Sequence, residues 1–137
     1  MSLRKRSRNE RGSMAVEVVL LAPVLMAFIV FIIMCGRYVS VRGDVDATAR
    51  DAARAASLQV SRADALAAAR EVVASSLDDQ TTCSAVSLDG VWGPGGTAVV
   101  HLECSVSYDG LGLIGVPGSA SVDAESAVPL DPYRRYE

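Results

Sequence analysis

Histidine, aromatic residues and cysteine are scarce in this sequence of 137 residues: one histidine, 5% aromatic residues and three cysteines. This length has room for one small domain and an appendage, which excludes a large multidomain enzyme. His101 has no partner at a metal-ligand spacing, so no metal site is predicted. Gly110, Gly112 and Gly115 follow a predicted strand but precede no helix, which a phosphate-binding loop requires. We therefore expect no catalytic residues, no cofactor and no enzymatic activity.

Lysine and arginine are sparse outside the N-terminus. Residues 1–12 contain four arginines and one lysine against one glutamate, a balance of +4. The net charge of the whole chain is −3, so residues 13–137 carry −7. Phosphate binding depends on clustered Lys and Arg, and an acidic body argues against nucleic acid as a partner.

Charged residues are absent from Val18 to Gly36, a run of 19 residues. As a helix this run spans roughly 28 Å, close to the hydrocarbon thickness of a bilayer. The basic N-terminus predicts a single pass through the cytoplasmic (inner) membrane, with the N-terminus cytoplasmic and the C-terminal part exported. A cleaved secretory signal is the alternative, but its apolar region is shorter and ends at an A-x-A-like site, which residues 34–37 do not offer. A retained anchor in the lipid bilayer is the better interpretation.

The boundary between the basic and apolar segments resembles the processing site of type IV prepilins. A basic leader is followed by Gly12, four residues, Glu17 and then the apolar run. In that family a membrane aspartyl peptidase cuts after the glycine and leaves glutamate fifth in the mature chain. The resemblance implies that prepilin peptidase is a partner, that Gly12 and Ser13 flank the cut, and that Glu17 acts in assembly. Taken alone, Glu17 would also fit an inert position among the lipid headgroups.

Three further stretches are similar to TadE-like proteins, which are pilin-like components of tight-adherence (Flp) pilus systems. EVVLLAPVL at residues 17–25 looks like their E-F-A-L-x-x-P-x-L stretch. Gly36-Arg37 matches the pair that closes their membrane segment, and ARDAARAA at residues 49–56 is similar to their A-R-E-G-A-R-A-A helix. Val18 and Ala52 depart from the usual aromatic residue and glycine, but neither change removes a charge. The resemblance covers residues 10–60.

This resemblance implies a minor pilin or pseudopilin-like subunit, because the chain is longer than the very short major Flp pilins. Its partners would be other pilin-like subunits and the pilus assembly platform. The alternative is an unprocessed single-pass membrane anchor or accessory protein of an envelope complex. Loss of residues 1–12 distinguishes the two, since only the pilin-like subunit is cut.

The predicted fold class is α+β and pilin-like. We expect a basic cytoplasmic leader (1–12), a transmembrane helix (13–36), a helical region outside the membrane (37–77) and a small β-rich domain (78–137). The helical region continues the membrane helix as an amphipathic, alanine-rich helix that Arg42-Gly43-Asp44 would bend or loosen. Ser61 and Asp64 have the spacing of a capping box, which predicts a second helix from Arg62 to about Leu77.

Apolar residues recur every three or four positions in the helical region and form one stripe. Its members are Val41, Val45, Ala49, Ala52, Ala56 and Val60. Small side chains permit close approach of another element, and the helix-packing residues predicted here are Ala49, Ala52, Ala53 and Ala56. The sequence leaves open whether this stripe packs on the chain's own sheet or on neighbouring subunits.

Alternating apolar residues predict strands at 85–88, 97–108 and 120–128, within an antiparallel sheet of three or four strands. Cys83 precedes the first strand and Cys104 lies in the second. An oxidising compartment favours a disulfide between them, the alternative being two reduced, buried thiols. Cys35, at the outer end of the membrane helix, is interpreted as a packing residue.

Overall fold

A computed structural model describes residues 11–107 and 118–137, with side chains from Ala15 onward. Two helices are followed by three strands, which confirms the α+β fold class. The chain divides into two units, one ending at Tyr38 and the other comprising Val39–Glu137. The predicted leader falls mostly on residues 1–10 and therefore lies outside the described residues.

Helix α1 runs from Arg11 to Ser57 and is unbroken at Pro23 and Gly43. Of the bend or loosening predicted at Arg42-Gly43-Asp44, the loosening is therefore wrong. A glycine inside a helix costs only about 1 kcal/mol relative to alanine. Val41 and Val45 on either side of Gly43 are buried, and their packing outweighs that cost.

Helix α2 runs from Arg62 to Ser76 and begins where the spacing of Ser61 and Asp64 predicts, with Ser61 as its N-cap. The Ser61 hydroxyl accepts a hydrogen bond from the backbone N–H of Asp64 at 3.1 Å and donates one to the Asp64 carboxylate at 2.8 Å. Leu77 has an extended backbone and ends the helix where predicted.

Three strands form one antiparallel sheet in the order β1-β2-β3: β1 is Thr81–Val91, β2 is Thr97–Ser107 and β3 is Ser119–Pro129. The first strand is longer than predicted, so Cys83 lies inside β1 rather than before it. Its Thr- and Ser-containing first half pairs with the strongly patterned second half of β2, which holds it in the sheet. The end of the second predicted strand, at residue 108, lies outside the described residues.

A tight turn joins β1 to β2, and only glycine fits at its start. Gly90 has a φ of +95°, and a Cβ there would lie 2.1 Å from the carbonyl oxygen of Thr97. The backbone N–H of Gly96 closes the turn by donating to the carbonyl of Gly93 at 2.9 Å. This turn fixes the register of β1 against β2.

One face of the sheet is buried in the core and the other is exposed. Even-numbered residues of β2 from Ala98 to Val106 are buried, which confirms the predicted alternation. The helices complete the core with small residues: Val41, Val45, Ala49, Ala52, Ala53 and Ala56 from α1, and Ala65, Ala69 and Val73 from α2. Val60, predicted to extend the α1 stripe, is 42% exposed because the helix has already ended at Ser57.

Candidate assembly and processing site

The first unit presents an apolar helix surface with no polar face. With the exception of Val30, the large apolar side chains from Val16 to Ile33 are all at least half exposed. The segment is long and apolar enough to cross a membrane, with a mean hydropathy of 3.1 in its most apolar window and no part of that window buried. A helix that is apolar on all sides is stable only when lipid or other helices cover it.

The Gly12–Ser13 peptide bond lies within helix α1. A peptidase that binds its substrate in extended form would have to unwind the helix locally at this bond.

Glu17 is exposed and is the only charged residue from Ala15 to Gly36. Its carboxylate has no hydrogen-bond or ion-pair partner among the residues with described side chains. It lies beyond the first turn of α1, where the helix dipole no longer stabilises a negative charge. Ser13 is four residues earlier, one helical turn away. A positive charge created at Ser13 would therefore lie on the same side of the helix as Glu17.

The four predicted packing alanines do not form part of an open surface. Ala49, Ala52, Ala53 and Ala56 are completely buried within the single chain. Of the two alternatives left open by the sequence, the structure shows intramolecular packing in the second unit.

A disulfide joins Cys83 and Cys104, as predicted, and these residues lie directly opposite each other on β1 and β2. The bridge spans a sequence separation of 21 residues, and closing such a loop stabilises the fold by about 3 kcal/mol in the chain-entropy model. Cys35 is free and exposed. The small α+β unit is thus stabilised by a covalent cross-link in addition to its alanine-rich core.

The exposed face of the sheet carries a row of charges that the sequence analysis missed. His101 Nε2 lies 3.6 Å from Asp89 Oδ2, and His101 Nδ1 lies 3.3 Å from Glu125 Oε2. His101 lies on the exposed face of β2, and which acidic side chains lie beside it depends on the strand register. Within the part of the chain that the structure describes, no group of histidine, cysteine and carboxylate side chains could hold a metal ion.

A second feature without a sequence signal is the anchoring of the C-terminal residues. The rings of Trp92 and Tyr136 meet edge to face, with centroids 5.6 Å apart. The carbonyl of Val60 accepts hydrogen bonds from the Trp92 indole at 3.4 Å and from the backbone N–H of Glu137 at 3.0 Å. The α1–α2 turn, the β1–β2 turn and the C-terminus therefore meet at one end of the second unit.

An apolar helix that could span a membrane, joined in sequence to a disulfide-bonded α+β unit, is consistent with a membrane-anchored protein. Comparison with known families makes the class more specific: the family model of TadE-like proteins matches residues 12–54. The match confirms the resemblance over this segment, which contains Gly12, Glu17 and three of the packing alanines, and it indicates a component associated with tight-adherence (Tad) pili. No curated protein and no solved structure matches the chain.

Proposed function

We propose that the chain is a minor pilin- or pseudopilin-like, non-catalytic subunit of a tight-adherence pilus or secretion machine. The observation that carries this proposal is Glu17, an exposed carboxylate that has no partner among the described side chains and lies at the start of a segment that is apolar on all sides. The residue lies within the segment that matches the TadE-like family. An anchor that only held a domain at the membrane would have no use for this charge.

Cleavage after Gly12 by a prepilin peptidase would create a positively charged amine on Ser13. When the subunit enters an array of packed helices, Glu17 leaves the lipid interface for surroundings of low dielectric constant and requires a partner. The Ser13 amine of a neighbouring subunit supplies it. This pairing favours one stagger between adjacent helices over all others.

In this proposal the N-terminus is cytoplasmic, the apolar helix crosses the inner membrane, and the disulfide-bonded unit is exported. The positive charge of residues 1–12 and the disulfide both support that orientation. The direct partners are the bilayer, the peptidase, other pilin-like subunits and the assembly platform.

The mass of the chain extracted from its native membrane tests the proposal. We expect a chain that begins at Ser13 and lacks the mass of residues 1–12. Gly12→Leu should block the cut and retain the full mass, while Gly36→Leu, a matched change in the same helix, should be processed normally. A native chain that still begins near residue 1 would show that the protein is an unprocessed anchor. The helical backbone at Gly12–Ser13 favours this second candidate function.

A further inference from the structure

The end of the second unit where the C-terminus is anchored has an exposed surface that combines apolar and basic side chains. We call it the tip surface: Leu58, Tyr133, Arg134 and Arg135. Leu58 is 59% exposed and Tyr133 is 97% exposed. Aromatic and arginine side chains together are typical of residues that dominate binding energy in protein interfaces.

This tip surface is held in place by the surrounding structure. The backbone N–H of Leu130 donates to the carbonyl of Gly96 at 2.8 Å, and the N–H of Asp131 donates to the hydroxyl of Tyr136 at 3.0 Å. The carboxylate of Asp131 accepts a hydrogen bond from the N–H of Tyr133 at 2.9 Å. A surface that is ordered before binding loses less conformational entropy when a partner arrives.

The charges of the tip surface are not neutralised by any residue that the structure describes. Arg134 and Arg135 are exposed, and neither side chain makes an ion pair with any described residue. Among the described residues, the outward-facing positions of the sheet include neither lysine nor arginine but do include four carboxylates: Asp89, Glu103, Asp123 and Glu125.

Glu103 and Asp123 lie directly opposite each other on β2 and β3, and neither is paired with a basic group among the described side chains. Like charges in this arrangement destabilise a sheet unless a positive group compensates them. A cavity of about 270 Å³ lies beside them and is also lined by His101 and Glu125. Val99 and Ala127, paired across the same face, add an apolar strip next to these charges.

Within one chain, the arginines of the tip surface make no ion pair with these carboxylates. Glu125 is four residues from Pro129 at the end of β3, which corresponds to roughly 13 Å of extended strand, and Asp123 is farther still. The anchoring of Tyr136 on Trp92 prevents the C-terminal residues from folding back along the strand.

We propose that the tip surface binds the exposed sheet face of a second copy of this chain. Arg134 and Arg135 enter the acidic face around Glu103 and Asp123, while Tyr133 covers the apolar strip. The two surfaces differ, so the contact is head-to-side and leaves both ends of a pair free to add further copies, as a polymer requires. This inference rests on the proposed role as an assembly subunit and specifies how its exported units contact one another.

Charge reversal in the full-length chain tests the contact. One variant carries Arg134→Glu and Arg135→Glu, and the other carries Glu103→Lys and Asp123→Lys. Matched controls reverse exposed charges elsewhere, at Arg50 and Arg54 or at Asp78 and Asp79. Association is measured in detergent micelles by sedimentation of a chain labelled at its N-terminal amine, at low salt. Thermal unfolding of each variant verifies that it is folded.

We expect each reversal to raise the dissociation constant at least about tenfold, since rim and interface charges of this kind control association. An equimolar mixture of the two variants should recover association, because the acidic tip of one then meets the basic face of the other. The controls should associate like the parent chain. The inference is overturned if the parent does not associate, if either variant associates like the parent, or if the mixture fails to recover.

The outcome is separable from that of the proposed function. A chain that keeps residues 1–12 yet shows recovery in the mixture refutes processing but not the tip contact. A chain cut after Gly12 that shows no recovery refutes the tip contact alone.

Discussion

At the scale of single residues, the strongest prediction concerns Glu17 and its role in assembly. The side chain is exposed, unpaired within the described structure and surrounded along the helix by apolar residues. Such a carboxylate costs free energy in a packed apolar array unless a positive charge lies beside it. In the proposed assembly Glu17 would therefore require a specific partner, whereas its charge is tolerated near the lipid interface.

Glu17→Gln keeps the size and hydrogen-bonding capacity of the side chain but removes its charge. We expect this variant to enter the membrane and lose residues 1–12 like the parent, yet to be depleted at least about tenfold from the assembled fraction, the equivalent of losing 1.4 kcal/mol per subunit contact. Quantitative immunoblotting of sheared assemblies against the membrane pool provides the measurement. Glu71→Gln, on the exposed face of α2, serves as the control. Equal incorporation of the Glu17 variant would show that the charge has no role in assembly.

At the scale of secondary-structure elements, the alanine face of α1 determines whether the second unit folds. Ala52 is completely buried, whereas Ala47 on the same helix is exposed. Ala52→Glu places an unpaired carboxylate in the core, and we expect it to lower the free energy of unfolding by at least about 3 kcal/mol. Ala47→Glu should change it by less than about 0.5 kcal/mol. Denaturant unfolding of the detergent-solubilised chain compares the two, and an equally stable Ala52 variant would contradict the intramolecular packing.

The second prediction at this scale concerns the disulfide, which joins two directly opposite residues of β1 and β2. Cys104→Ser should lower the free energy of unfolding by about 3 kcal/mol, since it releases the constraint on the unfolded chain. Cys35→Ser, which removes the free cysteine, should leave stability unchanged. The same denaturant titration measures both variants, and thiol labelling of the exported parent should detect Cys35 only. Labelling of Cys83 in the folded parent would contradict the bridge.

Local sequence signals predicted some of these elements and could not predict others. The cap at Ser61 and the alternation of β2 depend on neighbours within a few residues, so the sequence alone contains them. The sequence could not predict which surface covers the α1 alanines, because the same stripe can pack on a sheet or on another subunit. Only the tertiary structure shows that it is buried within the chain. The row formed by Asp89, His101 and Glu125 depends on register, which the turn at Gly90 fixes.

At the scale of the whole molecule, the two units require different surroundings. The first unit exposes apolar side chains on every side, and only lipid or other helices can cover them. The second unit buries its own apolar residues and exposes an acidic sheet face and a basic tip surface. These surfaces fit the proposed location at a membrane boundary, with the first unit in the bilayer and the second in water.

The prediction at this scale concerns the orientation of the chain across the membrane. The charge balance of residues 1–12 predicts a cytoplasmic N-terminus, so we expect an exposed position on α2 to be reachable only from outside. In a Cys35→Ser background, Ser75→Cys should react with a membrane-impermeant maleimide in intact spheroplasts. Ser2→Cys, combined with Gly12→Leu to retain the leader, should react only after the membrane is opened. The reverse pattern would place the disulfide-bonded unit in the cytoplasm, where neither the peptidase nor an exported assembly could use the chain as proposed.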